Sequence, residues 1–505
     1  MTGAAGPAGP APVRSGGAGA RIVAGGAQRS ALLAAGDRPV LLDAHGRRRS
    51  GVELVDRVDR LAGALEVRGL AGRRIGLWYR NSLAAVEAFL AVEWLGGTRV
   101  PVDPGAAATE AQAVFEAAGV DLVLADAEHA DLLPDGVTHD DAEPLTGPAR
   151  WPARRVDPRR TLLLYPRMVH GGELLAVPVS YGNWAETMRV NVALYRTGRY
   201  GPPVGPDDCY LTVQQLMHGT GMLGTFPFLL LGLPQVVLAR FDPAAVLDAV
   251  DRFGVTSTML VSGMLPPLAE AAHDRSLTAE RGRAVTAAHG RRTRLRRIVY
   301  GGAPLPLPQL RTALRAFGPV LVQVYGRMEG GWPISVLDTG AHARILAGDD
   351  ALATSCGRPV DEVATRIRAD TGELCVRTPM AVDEYTDQDG WCSLGDVVRR
   401  DELGHLHHLG RLDGMINNGY HVYPAEVEQA LRELPEVADA RVIGEPDPRR
   451  GQRVTAYIVP RVPEPDAGLP DRVRARLRER LAGYKVPERV EVVAVLPASS
   501  TTGSR

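Results

Sequence analysis

The chain has 505 residues, with 58 Lys and Arg against 59 Asp and Glu and a formal net charge of -1. That balance offers no basic surface for nucleic acid or for an anionic membrane, so neither is expected as a partner. With 45% hydrophobic and 23% charged residues, the sequence has the material for several cores, roughly three lobes by length.

Residues 1–20 are rich in Ala, Gly and Pro and lack both a basic start and a continuous apolar run. They are expected as a disordered tail, not a signal peptide. From Ser50 to Leu70 the apolar spacing predicts a helix, and the apolar run after Arg74 predicts a short strand. Further helix and strand pairs follow to about Asp126, which argues for an α/β body with a mostly parallel sheet. Thr161 to Tyr165 is a strand, and the stretch after it reads as irregular. A second α/β pass ends in two strands, before Gly301 and Tyr325, that run into Gly-bearing loops, where α/β sheets place ligands. Period-two alternation from Asp361 to Arg411 predicts a β-rich lobe. A turn rich in Gly and Tyr then leads to a helix starting at Pro424 and a small α+β unit. The expected organisation is a tail, a large domain over 21–409 built of stacked α/β subdomains and the β-rich lobe, and a small mobile domain over 410–505. The apolar run from Phe226 is too short and too interrupted for the ~20 residues of a membrane span. Cys209, Cys356, Cys375 and Cys392 form neither a CxxC pair nor a metal-ligand cluster, so buried inert thiols and a cytoplasmic setting are expected.

Six short motifs stand in order: Gly301-Gly302-Ala303-Pro304-Leu305, Tyr325-Gly326-Arg327-Met328-Glu329, Gly372-Glu373-Leu374, Gly395-Asp396, Gly410-Arg411-Leu412-Asp413 and Tyr423-Pro424-Ala425-Glu426-Val427-Glu428. Each alone is a weak signal, but together they resemble the acyl-adenylate-forming superfamily, which holds acyl- and aryl-CoA ligases, peptide-synthetase adenylation domains and luciferases. The resemblance implies activation of a small carboxylic acid by Mg-ATP. A swing of the small domain about Asp413 would then let coenzyme A, the phosphopantetheine of a carrier protein or an amine capture the acyl group. It also implies that Tyr325 stacks on adenine, that Asp396 and Arg411 hold the ribose, and that Gly302 and Ala303 border the nucleotide. Glu329 would help hold Mg2+, and His218 would lie near the substrate carboxylate. Met217, Met222 and Gly301 are expected around the acyl pocket.

The phosphate-handling positions depart from this pattern. The stretch matching the family's phosphate loop begins Tyr165-Pro166-Arg167-Met168-Val169-His170 and has lost its hydroxyls and its lysine. Met328 stands where the family usually has Thr. Ser504 follows Gly503 where the family usually has a lysine, a loss worth about 2.7 to 4 kcal/mol of transition-state stabilisation. The single lysine among 58 basic residues is Lys485, a sign of GC-rich codon usage, but such bias does not turn Lys into Ser. Arg167 and His170 are candidates for a replacement anion site. The expectation is an AMP-forming ligase of bacterial specialised metabolism, binding an ATP or AMP moiety, with an impaired ATP-cleaving half. The alternatives are a transfer-only enzyme fed with a preformed acyl-adenylate or thioester, and a non-catalytic scaffold.

Overall fold

The computed structural model describes residues 21–133, 136–138, 148–168, 174–280, 294–412, 414–462 and 466–497. A large N-terminal α/β domain carries a smaller C-terminal one. In the large domain a nine-stranded sheet has a parallel centre, in the order Leu321–Arg327, Arg297–Gly301, Ser257–Val261, Tyr210–Thr212, Gln235–Val237 and Pro39–Asp43. Antiparallel strands close it at both edges.

A second, six-stranded sheet includes Arg74–Trp78, Thr98–Pro101 and Leu122–Ala125 in parallel. Helix Leu83–Trp94 is buried at every residue because it contacts strands of both sheets. Its near-continuous apolar sequence follows from burial on all sides. The helix predicted from Ser50 runs over Gly51–Val67. Ser50 accepts from the Glu53 amide at 3.2 Å, and the Glu53 carboxylate accepts from the Ser50 amide at 2.7 Å, a reciprocal capping box.

The stretch after Tyr165 is more regular than its sequence suggests. The strand Thr161–Met168 continues through Pro166 and returns antiparallel as Leu174–Ser180. On its other side it pairs with Thr98–Pro101 only at Leu163. Beyond that point the missing proline N–H breaks no ladder on that edge.

The β-rich lobe is a four-stranded antiparallel sheet of Ala364–Ile367, Glu373–Arg377, Cys392–Arg400 and Leu406–Arg411. In the small domain, Val437–Asp447 and Gly451–Pro460 pair antiparallel, and Arg489–Val492 joins in parallel. Helices Pro424–Arg432 and Leu469–Arg478 complete it around Val427, Leu431, Val442, Ile458 and Leu477. All four cysteines are free and buried. Among the described residues, no helix is long and apolar enough to cross a membrane.

Candidate active site between the two domains

Three neighbouring parallel strands, Ser257–Val261, Arg297–Gly301 and Leu321–Arg327, end together and release Ser262, Gly302 and Met328 at one edge of the large sheet. The lobe strands bring Asp396 directly opposite Arg411 in register. From the small domain, the turn between Ile416–Asn417 and His421–Val422 reaches the same place. The cleft enclosed by these parts has a volume of about 1010 Å3.

At one end of the cleft, Asp396 is 2% exposed. Its Oδ1 accepts from Arg411 Nη1 at 2.6 Å and lies 3.2 Å from His408 Nε2, while its Oδ2 accepts from the Tyr325 hydroxyl at 2.5 Å. Burial alone would raise the Asp396 pKa. The His408 hydrogen bond and the charges of Arg327 and Arg411 outweigh it and hold the carboxyl well below its usual range. The group is a fixed anion in the cleft wall.

Gly302 turns the chain at φ 90°, a left-handed conformation that glycine adopts without strain. Its carbonyl accepts from Asn417 Nδ2 of the small domain at 2.6 Å. A side chain here would stand 3.3 Å from the Gly419 carbonyl and press on the docked turn. Ser262 braces the same loop by donating to the Ala303 carbonyl at 2.5 Å.

His218 caps helix Gly219–Leu230 and is almost fully buried. Its Nε2 lies 3.2 Å from Asp103 Oδ2, and its Nδ1 lies 3.4 Å from the Tyr165 hydroxyl. The Tyr420 ring sits 4.8 Å from the imidazole, and Tyr484 stacks on Tyr420 at 4.7 Å. Both tyrosines come from the small domain. Burial pushes the Asp103 pKa up, but the His218 hydrogen bond and charge bring it below its ordinary value.

Met217, Gly302, Ala303, Met328 and Glu329 line the cleft with these residues. Met222 does not. It is completely buried and packs in the main hydrophobic core, while the next residue, Leu223, faces the cleft. Successive helical residues point about 100° apart, which separates the two. Gly301 is also displaced from its expected place: a Cβ there would meet the Val324 carbonyl at 2.4 Å, so the residue packs on the next strand. Arg167 belongs to the strand ending at Met168, but its side chain lies outside the described residues, as do His170, Asp413 and Ser504.

Glu329 lines the cleft, and Arg327 Nη2 lies 3.4 Å from its Oε1. Among the described residues, no group of three or more His, Cys, Asp or Glu is arranged to hold a metal.

Several site residues escaped the sequence reading. Asp103, His408 and Asn417 carry no motif of their own. Arg327 lies within Tyr325-Gly326-Arg327-Met328-Glu329, at a position to which the resemblance assigns no role. Lys485, the lone lysine, enters the cleft wall and bridges Glu110 of the large domain and Glu426 of the small one, at 2.8 Å each.

The family model described as AMP-binding enzyme matches residues 28–158 and 175–386, and the AMP-binding enzyme C-terminal domain matches 426–503. Feruloyl-CoA synthase of Amycolatopsis sp is 31% identical over 495 residues, 90% of this chain and 91% of that protein. The medium/long-chain-fatty-acid CoA ligase FadD8 of Mycobacterium tuberculosis is 32% identical over 314 residues; the match spans 57% of this chain and only about half, 51%, of that relative. Among solved structures, the amide bond synthetase McbA of Marinactinospora thermotolerans superposes with a TM-score of 0.78 at 29% identity, covering 94% of this chain and 97% of that one. o-Succinylbenzoate CoA synthetase of Bacillus subtilis, 25% identical, superposes at 0.75 when bound to the product analogue OSB-NCoA, with 94% of this chain and 96% of that one covered. The same enzyme with its acyl-adenylate intermediate OSB-AMP superposes at 0.62, with 93% and 95% covered.

Proposed function

Because this chain belongs to the AMP-binding enzyme family, we propose that it is an AMP-forming ligase that joins a small acyl or aryl carboxylate to a thiol or amine. Its second half-reaction is intact and its ATP-cleaving half is weakened. The observation that carries this reading is the buried Asp396 carboxylate, kept ionised by Arg411 and His408 with Tyr325 against it. A ribose diol satisfies such an acceptor pair, and the Tyr325 ring supplies a face for the base.

The acyl group of the bound adenylate would lie toward Met217 and His218. Transfer needs the nucleophile's lone pair to attack the acyl carbonyl. The bond from that carbon to the phosphate oxygen then breaks, AMP leaves with the electron pair, and the nucleophile's proton passes to solvent. The protein's part is to hold both reactants in line and to keep water away. The docked small-domain turn, with Asn417 on the Gly302 carbonyl and Tyr420 on His218, closes the cleft in the manner this step requires. Superposition on the relative with a CoA-type product analogue, at 0.75 against 0.62 for the adenylate complex, supports the same arrangement. Met328 offers phosphate no hydroxyl and Ser504 offers it no charge, which weakens the first step.

The same docked arrangement favours a second reading, in which the chain only transfers an acyl group activated elsewhere. Pyrophosphate exchange across a panel of aryl and short acyl acids, run beside transfer from a synthetic acyl-adenylate to CoA and to amines, separates the two. Slow exchange with transfer about a hundredfold faster supports the ligase with a weakened first step. Transfer without exchange leaves the transfer-only enzyme. No product from either arm removes both and leaves a scaffold that holds a partner such as a carrier protein. The metabolic setting we propose, bacterial specialised metabolism, follows the acid that this panel identifies.

A further inference from the structure

Arg327 is a buried cation whose charge reaches Asp396 but which, among the described contacts, makes no hydrogen bond to it. It is 5% exposed, at the end of the strand that carries Tyr325. Its one hydrogen bond within the protein among the described contacts runs from Nη2 to Glu329 at 3.4 Å, and its Nε has no partner. Arg411, by contrast, spends its charge on Asp396 at 2.6 Å. His421, beside both arginines, has its pKa pushed down to about 3 by burial and then by Arg327, so the imidazole adds no charge. A guanidinium has five N–H donors, and leaving donors unfilled in a buried site is costly.

Arg327 lines the cleft with Tyr325, Asp396, Arg411 and His421. A ligand whose ribose is held at Asp396 would carry its 5′ substituent along this wall. The group that complements an underfilled guanidinium there is a phosphate with two or three non-bridging oxygens, as in an acyl-adenylate or AMP. We propose that Arg327 binds the phosphate of a nucleoside monophosphate or acyl-adenylate, a charged substitute for the hydroxyl missing at Met328. The proposal rests on the nucleoside reading of Asp396 and deepens it. It also gives the weakened phosphate site a preference. One guanidinium suits the single phosphate of AMP or an adenylate better than the extended triphosphate of ATP, which needs several ligands.

Calorimetric titration of the full chain with adenosine, AMP and ATP tests this. The unmodified protein is expected to bind AMP at least about tenfold more tightly than adenosine. Arg327→Met should abolish that preference, read as the ratio of AMP to adenosine affinity, and Arg327→Lys should keep part of it. Arg327→Met removes the cation beside Glu329, so the pair Arg327→Met with Glu329→Gln is measured beside it to hold the local charge balance. An AMP preference that survives in both variants overturns the proposal, as does equal binding of AMP and adenosine by the unmodified chain. If adenosine itself fails to bind the folded protein, the nucleoside reading falls and this proposal falls with it.

Discussion

Removing the carboxylate of Glu110 should loosen the small domain from the large one. Lys485 Nζ lies 2.8 Å from Glu110 in helix Ala108–Ala117 and 2.8 Å from Glu426 in helix Pro424–Arg432, and the three side chains are 9%, 11% and 7% exposed. Burial by itself would lower the Lys485 pKa, but Tyr484 and the two carboxylates raise it well above its ordinary value, so the ammonium stays charged. Breaking one side of a buried ion pair costs about 3 to 5 kcal/mol. Because Glu426 still holds Lys485 within the small domain, Glu110→Gln should fall near the lower end, about 3 kcal/mol, and shift the docked population by roughly a hundredfold. Distances between spin labels on Arg315→Cys and Arg478→Cys, exposed positions on the two domains, would show it. The native thiols do not interfere, since all four are buried and burial pushes Cys209, Cys356 and Cys392 up to about 12. One narrow distance distribution should become broad in Glu110→Gln. Glu433→Gln, which cuts a pair with Arg480 inside the small domain, should leave it narrow. A distribution unchanged by Glu110→Gln would refute the reasoning.

Three further outcomes are expected. Ser504→Lys should raise the rate of pyrophosphate exchange by about a hundredfold without changing transfer from a supplied adenylate. Asp401 sits 3.2 Å from His405 and 3.1 Å from His407. Burial would raise its pKa, but these histidines hold it at about 2, below its ordinary 3.8. Its stabilising contribution is therefore present above pH 3.8 and fades as pH falls toward 2, and the urea midpoint of Asp401→Asn should drop less steeply between those values. Ser50→Ala removes half of a capping box and should lower the unfolding free energy by about 1 kcal/mol, measured from the same urea transitions.

The layered architecture was readable because its signals are local and repeated. Helix Leu83–Trp94 is apolar except for the paired Glu87 and Glu93 because two sheets and a helix cover it, and the strands before Gly301 and Tyr325 end at glycine loops. Tyr325, Asp396 and Arg411 were legible through the order of their motifs, and the structure places them within one hydrogen-bonded cluster. Met222 was misplaced because a pocket position on a helix depends on phase, and Leu223 takes the inward-facing place. Lys485, Glu110 and Glu426 could not be joined from sequence. Glu110 and Lys485 are separated by 375 positions, and only tertiary packing makes them neighbours. Arg327 was visible in its motif, but its burial and unfilled Nε emerge only from the fold.

The stack of Tyr420 on His218 joins a ring of the small domain to a ring of the large one, 4.8 Å apart and tilted by 45°. Aromatic faces shield or deshield nearby protons, so the carbon-bound protons of this imidazole resonate at frequencies set by where the small domain sits. Each departure of Tyr420 trades a π-face for water above the ring. Any change in the seating of the small domain would therefore shift these resonances, with Tyr420→Leu as the reference.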